Sequence, residues 1–307
     1  MQQIILHHYP MSPFAEKVRL ILGLKGLHWS SVHIPNIMPK PDLTALTGGY
    51  RKTPVMQIGA DIYCDTALIA DVIEERTPSP TLYPSGDACA SRILAQWADS
   101  TLFWTAIPFA MQPAGLAHIF AGSPPEAIKA FGDDRAVFRA NMPRIRPADA
   151  NAAFALYLER LEETLGEQPF FFGTAPSIAD FSIYHCLWFV MRGGPVAKIL
   201  ESFPALKAWR ARMAAFGHGT HEKLDSDAAI GIAREAMPAK SAGNVDSHGL
   251  AIGDRVVAAA TDTGTEPIEG TLYGATKERF SIAREDQRAG RVVVHFPRLG
   301  FELRRAK

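Results

Sequence analysis

The hydrophobic period of this chain changes twice, and each change limits what can fold together. Over roughly residues 1 to 78, strand-like and helical runs alternate. "IILHHY" reads as a short strand stopped by Pro10. Ser12 then stands at an N-cap position, with Pro13 at the first helical position. Phe14, Val18, Ile21 and Leu22 recur at helical spacing, and Gly26 ends that helix. "WSSVHI" is a second strand. "VMQIG" and "DIYC" form a hairpin across Gly59, Ala60 and Asp61, and Leu68, Ile69, Val72 and Ile73 mark another amphipathic helix. The order is βαβ, a loop region, then ββα, which defines an α/β unit.

"TPSPTLYPSG" is a linker. Residues 87 to about 237 then read almost wholly as helix, through "ASRILAQWADSTLFW", "AAFALYLERLEETLG" and the very apolar "FFFGTAPSIADFSIYHCLWFV". After a second linker, "PAKSAGNVDSHG", the period shortens again. "DRVVAAAT", "EGTLYGAT", "RFSIARE", "RVVVHFP" and "FELRRA" are strand-like runs separated by turns, which predicts a small all-β, barrel-like domain. Three units follow: α/β over 1–78, all-α over 87–237 and all-β over 249–307.

Charge excludes some functions. Lys plus Arg and Asp plus Glu number 32 each, so no global field points to nucleic acid or an anionic membrane. The last region carries no basic stripe of the kind a nucleic-acid-binding barrel needs. No apolar run is long enough to span a bilayer, and the start reads as a poor signal peptide. Cys64, Cys89 and Cys186 are widely spaced without CxxC, which suits a reducing compartment and argues against a disulfide framework. A cytoplasmic protein is expected. The scattered histidines show no metal-binding pattern, and no metal is expected.

Four local features carry a resemblance. They are "SPFAEKVRLIL" at the first strand-to-helix turn, "RKTPV" before a strand, "CDTALIADVIEE" after the hairpin, and "PSIADFSIY". In order and spacing the chain resembles the glutathione transferase family over about residues 1 to 235. It looks closest to the serine-type classes. Tau-class sequences have a similar "SPF", and omega-class ones look like "CPFAE", with cysteine in place of Ser12. The resemblance implies a thioredoxin-like N-terminal domain, an all-helical second domain, glutathione as co-substrate and a homodimer. The terminal β region lies outside it.

The site residues follow from that resemblance. Ser12 would hold the glutathione thiolate, by its hydroxyl and by its place at a helix amino terminus. Tyr9 is a rival hydroxyl. Phe14 belongs to the same turn. Pro54 would be cis and would expose the backbone of Thr53 to the cysteinyl part of glutathione. Asp65 would meet the γ-glutamyl ammonium and Thr66 its carboxylate, although the family more often has Glu or Gln, then Ser. Lys52, or Arg51 beside it, would hold the glycyl carboxylate, with Lys40 a weaker candidate. Phe103, Trp104 and Phe109 would line the pocket for an apolar electrophile. Cys64 reads as a small buried residue, and Ser177 with Asp180 as a capping box. The alternative is a non-catalytic scaffold that binds a protein partner through the C-terminal β domain.

Overall fold

The computed structural model describes all residues except 1, 85, 141, 143, 144, 242, 244–248 and 307. Elements stand where the local signals put them. β1 (Ile4–His8) leads into α1 (Pro13–Leu24), whose N-cap is Ser12. β2 (His28–His33) pairs parallel with β1, while β3 (Val55–Ile58) pairs antiparallel with β1 and with β4 (Asp61–Cys64). α2 (Pro41–Thr47) fills the loop region, and α3 (Thr66–Arg76) follows the hairpin. One face of this α/β unit buries Val18, Ile21, Leu68, Ile69 and Ile73 in the same core as the helical layer.

That layer contains α4 (Ala88–Trp97), α5 (Phe103–Ala110), α6 (Pro113–Ile119), α7 (Pro125–Phe138), α8 (Pro147–Leu165), α9 (Ile178–Met191) and α10 (Pro204–Ala214). A π-helical turn over 98–102 joins α4 to α5. At the buried start of α9, the Ser177 N–H and hydroxyl both donate to Asp180, at 2.8 and 2.9 Å. Asp180 also accepts from Trp209 Nε1 at 2.9 Å, so the capping box anchors α10 as well.

The nearly all-helical reading of 87–237 needs one correction. β5 (Thr220–Lys223) is a strand, paired parallel with β2, and α11 (Ser226–Glu235) follows it and packs against α2, β2 and the strand Gly290–Pro297. The five C-terminal strands occur as read: β6 (Arg255–Ala260), β7 (Ile268–Ala275), β8 (Arg279–Asp286), β9 (Gly290–Pro297) and β10 (Phe301–Arg305). They are hydrogen-bonded to the first unit. β9 pairs parallel with β4, which gives one ten-stranded sheet in the order β10-β6-β7-β8-β9-β4-β3-β1-β2-β5. A row of side chains crosses that junction. The Ser281 hydroxyl meets His295 Nδ1 at 2.7 Å, His295 Nε2 meets Asp61 Oδ1 at 2.8 Å, and Asp61 Oδ2 accepts from the Ala239 N–H at 2.8 Å. No helix among the described residues is long and apolar enough to cross a membrane.

Candidate functional site

The site is built at two helix amino termini. Ser12 is 2% exposed, and its hydroxyl accepts the Ala15 N–H at 3.2 Å, a bond that does not use its own proton. Its backbone N–H bonds the Tyr9 carbonyl at 3.1 Å, which folds the loop tightly before the helix. Burial raises the Tyr9 phenol above its usual range, while Arg135 and the neighbouring Ser12 hydroxyl pull the other way. The two candidate hydroxyls are therefore neighbours, and Tyr9 stays protonated at neutral pH.

The second amino terminus is that of α3. Asp65 caps it by accepting the Ala67 N–H at 2.8 Å, and burial raises its carboxyl against the pull of Lys52. Its φ is 78°, the one positive value at a non-glycine among the described residues. Such a backbone costs on the order of 1–3 kcal/mol and is common where a loop serves a ligand. Thr66 is buried, and its hydroxyl accepts from Lys17 Nζ at 3.2 Å. The Thr53–Pro54 peptide is cis. The β3 ladder begins at Val55, so the Thr53 backbone precedes it.

Sequence reasoning missed what lies behind Thr66. Lys17 is fully buried and pairs with Asp99 at 2.6 Å, and Asp99 in turn bonds His185 Nε2 at 2.8 Å. Burial opposes the charge on Asp99, but Lys17 and the His185 bond outweigh it and hold the carboxyl below its usual value. Burial keeps His185 below its usual value despite Asp99. This chain of contacts joins α3, α1, the π-helical turn and α9.

The aromatic candidates differ in their ring partners. Phe14 packs on Phe103 at 4.7 Å and on His185 at 4.5 Å, and Trp104 meets Phe103 edge-on at 5.0 Å. These three are brought together beside the first helix. Phe109 shares the helical core cluster with Phe103 and packs against Phe154 at 4.6 Å. Cys64 is fully buried, and burial raises its thiol well above the usual range.

The three candidate cations differ in their partners. Arg51 is held by Asp134 at 2.7 Å and by Glu266, and Lys52 by Asp262. Both were expected to be free for a carboxylate. Lys40, the weaker candidate, is 4% exposed and has no carboxylate partner among the described residues. Its ammonium donates to the Arg51 carbonyl and the Thr53 hydroxyl, each at 3.1 Å, and lies 5.9 Å from the Tyr9 ring. Burial, helped by Arg135, lowers its pKa to about 8.

This has a consequence for stability. From about pH 8 upward the folded protein has released a proton that the unfolded chain keeps to about pH 10.4. Stability of the ligand-free protein should therefore rise through that window, by up to about 1 kcal/mol per pH unit from this group. Denaturant unfolding of wild type and Lys40→Met between pH 8 and pH 10 checks it. The wild type should gain on the variant as pH rises; parallel curves would refute the assignment.

The fold matches known proteins. Residues 6–81 match the model of the glutathione S-transferase N-terminal domain, and residues 146–212 that of the C-terminal domain. A GST-like protein from Pseudomonas syringae is 45% identical, with all of both chains covered and a TM-score of 0.83. This chain belongs to the glutathione S-transferase family. A glutathione S-transferase from Rhodospirillum rubrum is 20% identical over 69% of this chain and 88% of its own, with a TM-score of 0.53. The beta-etherase LigF of Sphingobium is 20% identical over 69% and 95%, with a TM-score of 0.51. Those two share the fold. The Pseudomonas protein is matched along the C-terminal strands as well. No curated protein matches the chain.

Proposed function

We propose that this protein is a glutathione-dependent transferase in which Ser12 stabilises the thiolate of bound glutathione for attack on an apolar electrophile. The observation that carries the reading is the Ser12 hydroxyl, buried at the first turn of α1, where its bond to the Ala15 N–H does not use its own proton. A free thiol has a pKa near 8.5. Lowering it by two units requires roughly 2.7 kcal/mol of preference for the anion. A hydrogen bond to a charged group supplies roughly 1.5–3 kcal/mol, and the α1 terminus adds to it.

The remaining roles follow the ligand's charges. Thr66 and the α3 amino terminus receive the γ-glutamyl carboxylate, and Asp65 the ammonium. The Thr53 backbone pairs with the cysteinyl unit. Lys40 takes the glycyl carboxylate, because it is the buried cation still without a counter-charge among the described residues. Phe14, Phe103 and Trp104 offer the apolar wall. The chain acts as a cytoplasmic homodimer with no metal. An ether-cleaving, dehalogenating or isomerising variant of the reaction would use the same thiolate.

The test is a pH titration of bound glutathione, followed by thiolate ultraviolet absorbance, in wild type and Ser12→Ala. The bound thiol should titrate one to two units below the free value (~8.5), and the variant should give back about one unit or more. Bound glutathione with the pKa of the free thiol would sink the proposal.

A further inference from the structure

We infer that β10 is a self-complementary edge through which two copies of this chain join their sheets across a two-fold axis. The surface lies in the C-terminal strands, outside residues 6–81 and 146–212 that carry the family match, and owes nothing to the glutathione reading.

β10 ends the ten-stranded sheet. Its five residues contain no proline, and its pairing with β6 runs without a shift from Phe301 opposite Ala260 to Arg305 opposite Val256. The bonds that flank this ladder fix its phase. The Thr261 N–H donates to the Gly300 carbonyl at 3.0 Å, and the Ala306 N–H to the Arg255 carbonyl at 2.9 Å. Bonded and non-bonded residues alternate along an antiparallel pair. Gly300, Glu302, Arg304 and Ala306 therefore bond toward β6, while Phe301, Leu303 and Arg305 turn their N–H and C=O groups outward. Among the described residues no strand pairs with that outer row. Such a row is a template for another strand.

Charge decides which strand. Phe301 and Leu303 are buried, while Glu302 and Arg304 are exposed on the opposite face. When a second copy approaches antiparallel with Leu303 opposite Leu303, Phe301 of each lies opposite Arg305 of the other. All three outward residues of one copy then meet outward residues of its partner as bonded pairs. Glu302 of each copy lies opposite Arg304 of the other, which gives two cross-strand ion pairs. Within one chain these two side chains are 3.5 Å apart, a loose exposed pair that leaves both able to turn to the partner. Sliding by two residues keeps the backbone in phase, but sets Glu302 against Glu302 in one direction and Arg304 against Arg304 in the other. Like charges directly opposite destabilise a strand pair, so one register is selected.

Two exposed apolar side chains fall into the same arrangement. Leu299, in the turn before β10, is 71% exposed, and Ile252, in the loop before β6, is 50% exposed. Arg305 reaches that loop, donating to Asp254 at 2.9 Å and to the Gly249 carbonyl at 3.3 Å. Antiparallel pairing carries the Leu299 turn of each copy past Arg305 of the other, toward the loop that holds Ile252. An interface of one strand pair and these few side chains belongs to the small, reversible class, so its extent follows concentration.

Sedimentation of the full chain over roughly a hundredfold range of concentration tests this in wild type, Glu302→Arg, Arg304→Glu and the double variant. Wild type should associate with rising concentration, doubling the mass of its smallest species. Each single variant puts two like-charge pairs into the interface and should weaken that association roughly tenfold or more. The double variant restores opposite charges and should recover it. An equimolar mixture of the two single variants should recover it too, since each presents the charge that the other lacks. Association through any other face would be indifferent to these exchanges. Wild type that stays at one mass, single variants that associate as wild type does, or a mixture no better than its components would each refute the edge.

Discussion

Asp99→Ala should destabilise the protein by about 3–5 kcal/mol, among the largest effects of any single side chain here. The reason is what it leaves behind. Lys17 is fully buried, and its ammonium has two partners, Asp99 at 2.6 Å and the Thr66 hydroxyl at 3.2 Å. Without the carboxylate, a charged group in the interior keeps one neutral acceptor. His185 loses its 2.8 Å partner at the same time. A second substitution separates the pair's worth from the cost of orphaning one member. Lys17→Met combined with Asp99→Leu should recover most of the loss, because a buried ion pair is often worth little more than well-packed apolar groups. Urea unfolding of the three variants gives both numbers. A loss under about 1 kcal/mol for Asp99→Ala would mean that water reaches Lys17. The single variant should also bind glutathione less well, since Lys17, which donates to the Thr66 hydroxyl, loses the carboxylate that holds it in place.

The pair also shows where a sequence stops being readable. α1 was legible because its information is local: an N-cap, a proline, an apolar stripe and a glycine lie within a few turns. Asp65 and Thr66 were legible for the same reason. Lys17 sits within the same legible helix, yet nothing near it names a partner 82 residues away. Lys52 and Arg51 looked free because Asp262 and Glu266, more than 200 residues on, could not be seen beside them. Lys40 was ranked low as one more surface cation, and only its burial without a carboxylate raises it.

The two elements that local reading left out fail on different grounds. α2 has seven residues, too few to display a helical period. β5, "THEK", is exposed at every position and has no alternation to detect; its strand character comes from pairing with β2. By contrast, all five C-terminal strands announced themselves by period and turns. What they did not announce was the pairing of β9 with β4. Edge pairing depends on backbone groups, which every sequence carries alike.

That pairing makes removal of residues 249–307 the more drastic experiment. The truncated chain should fail to fold to a stable, soluble protein. β4 would become an edge, because Asp61, Ile62 and Tyr63 lose Val293, Val294 and His295. Leu43, Leu46, Val55 and Ile62 share one buried cluster with Val292, Val294, Phe280 and Phe296, and would lose that cover. Full exposure of four such side chains amounts to roughly 6–12 kcal/mol. Net stability of a whole domain is typically about 5–15 kcal/mol. The uncovered edge adds an aggregation hazard to the loss. Hydrophobic-dye binding, sedimentation and urea unfolding of the truncated chain measure the outcome. A soluble product with the full-length midpoint and full glutathione affinity would show that the C-terminal strands are a separable accessory. An unstable product would make them part of the structure that holds Lys40, Arg51 and Lys52 in place. Glu266 and Asp262 reach those cations from the same turn between β6 and β7, so losing the strands also removes the carboxylates that now neutralise Arg51 and Lys52.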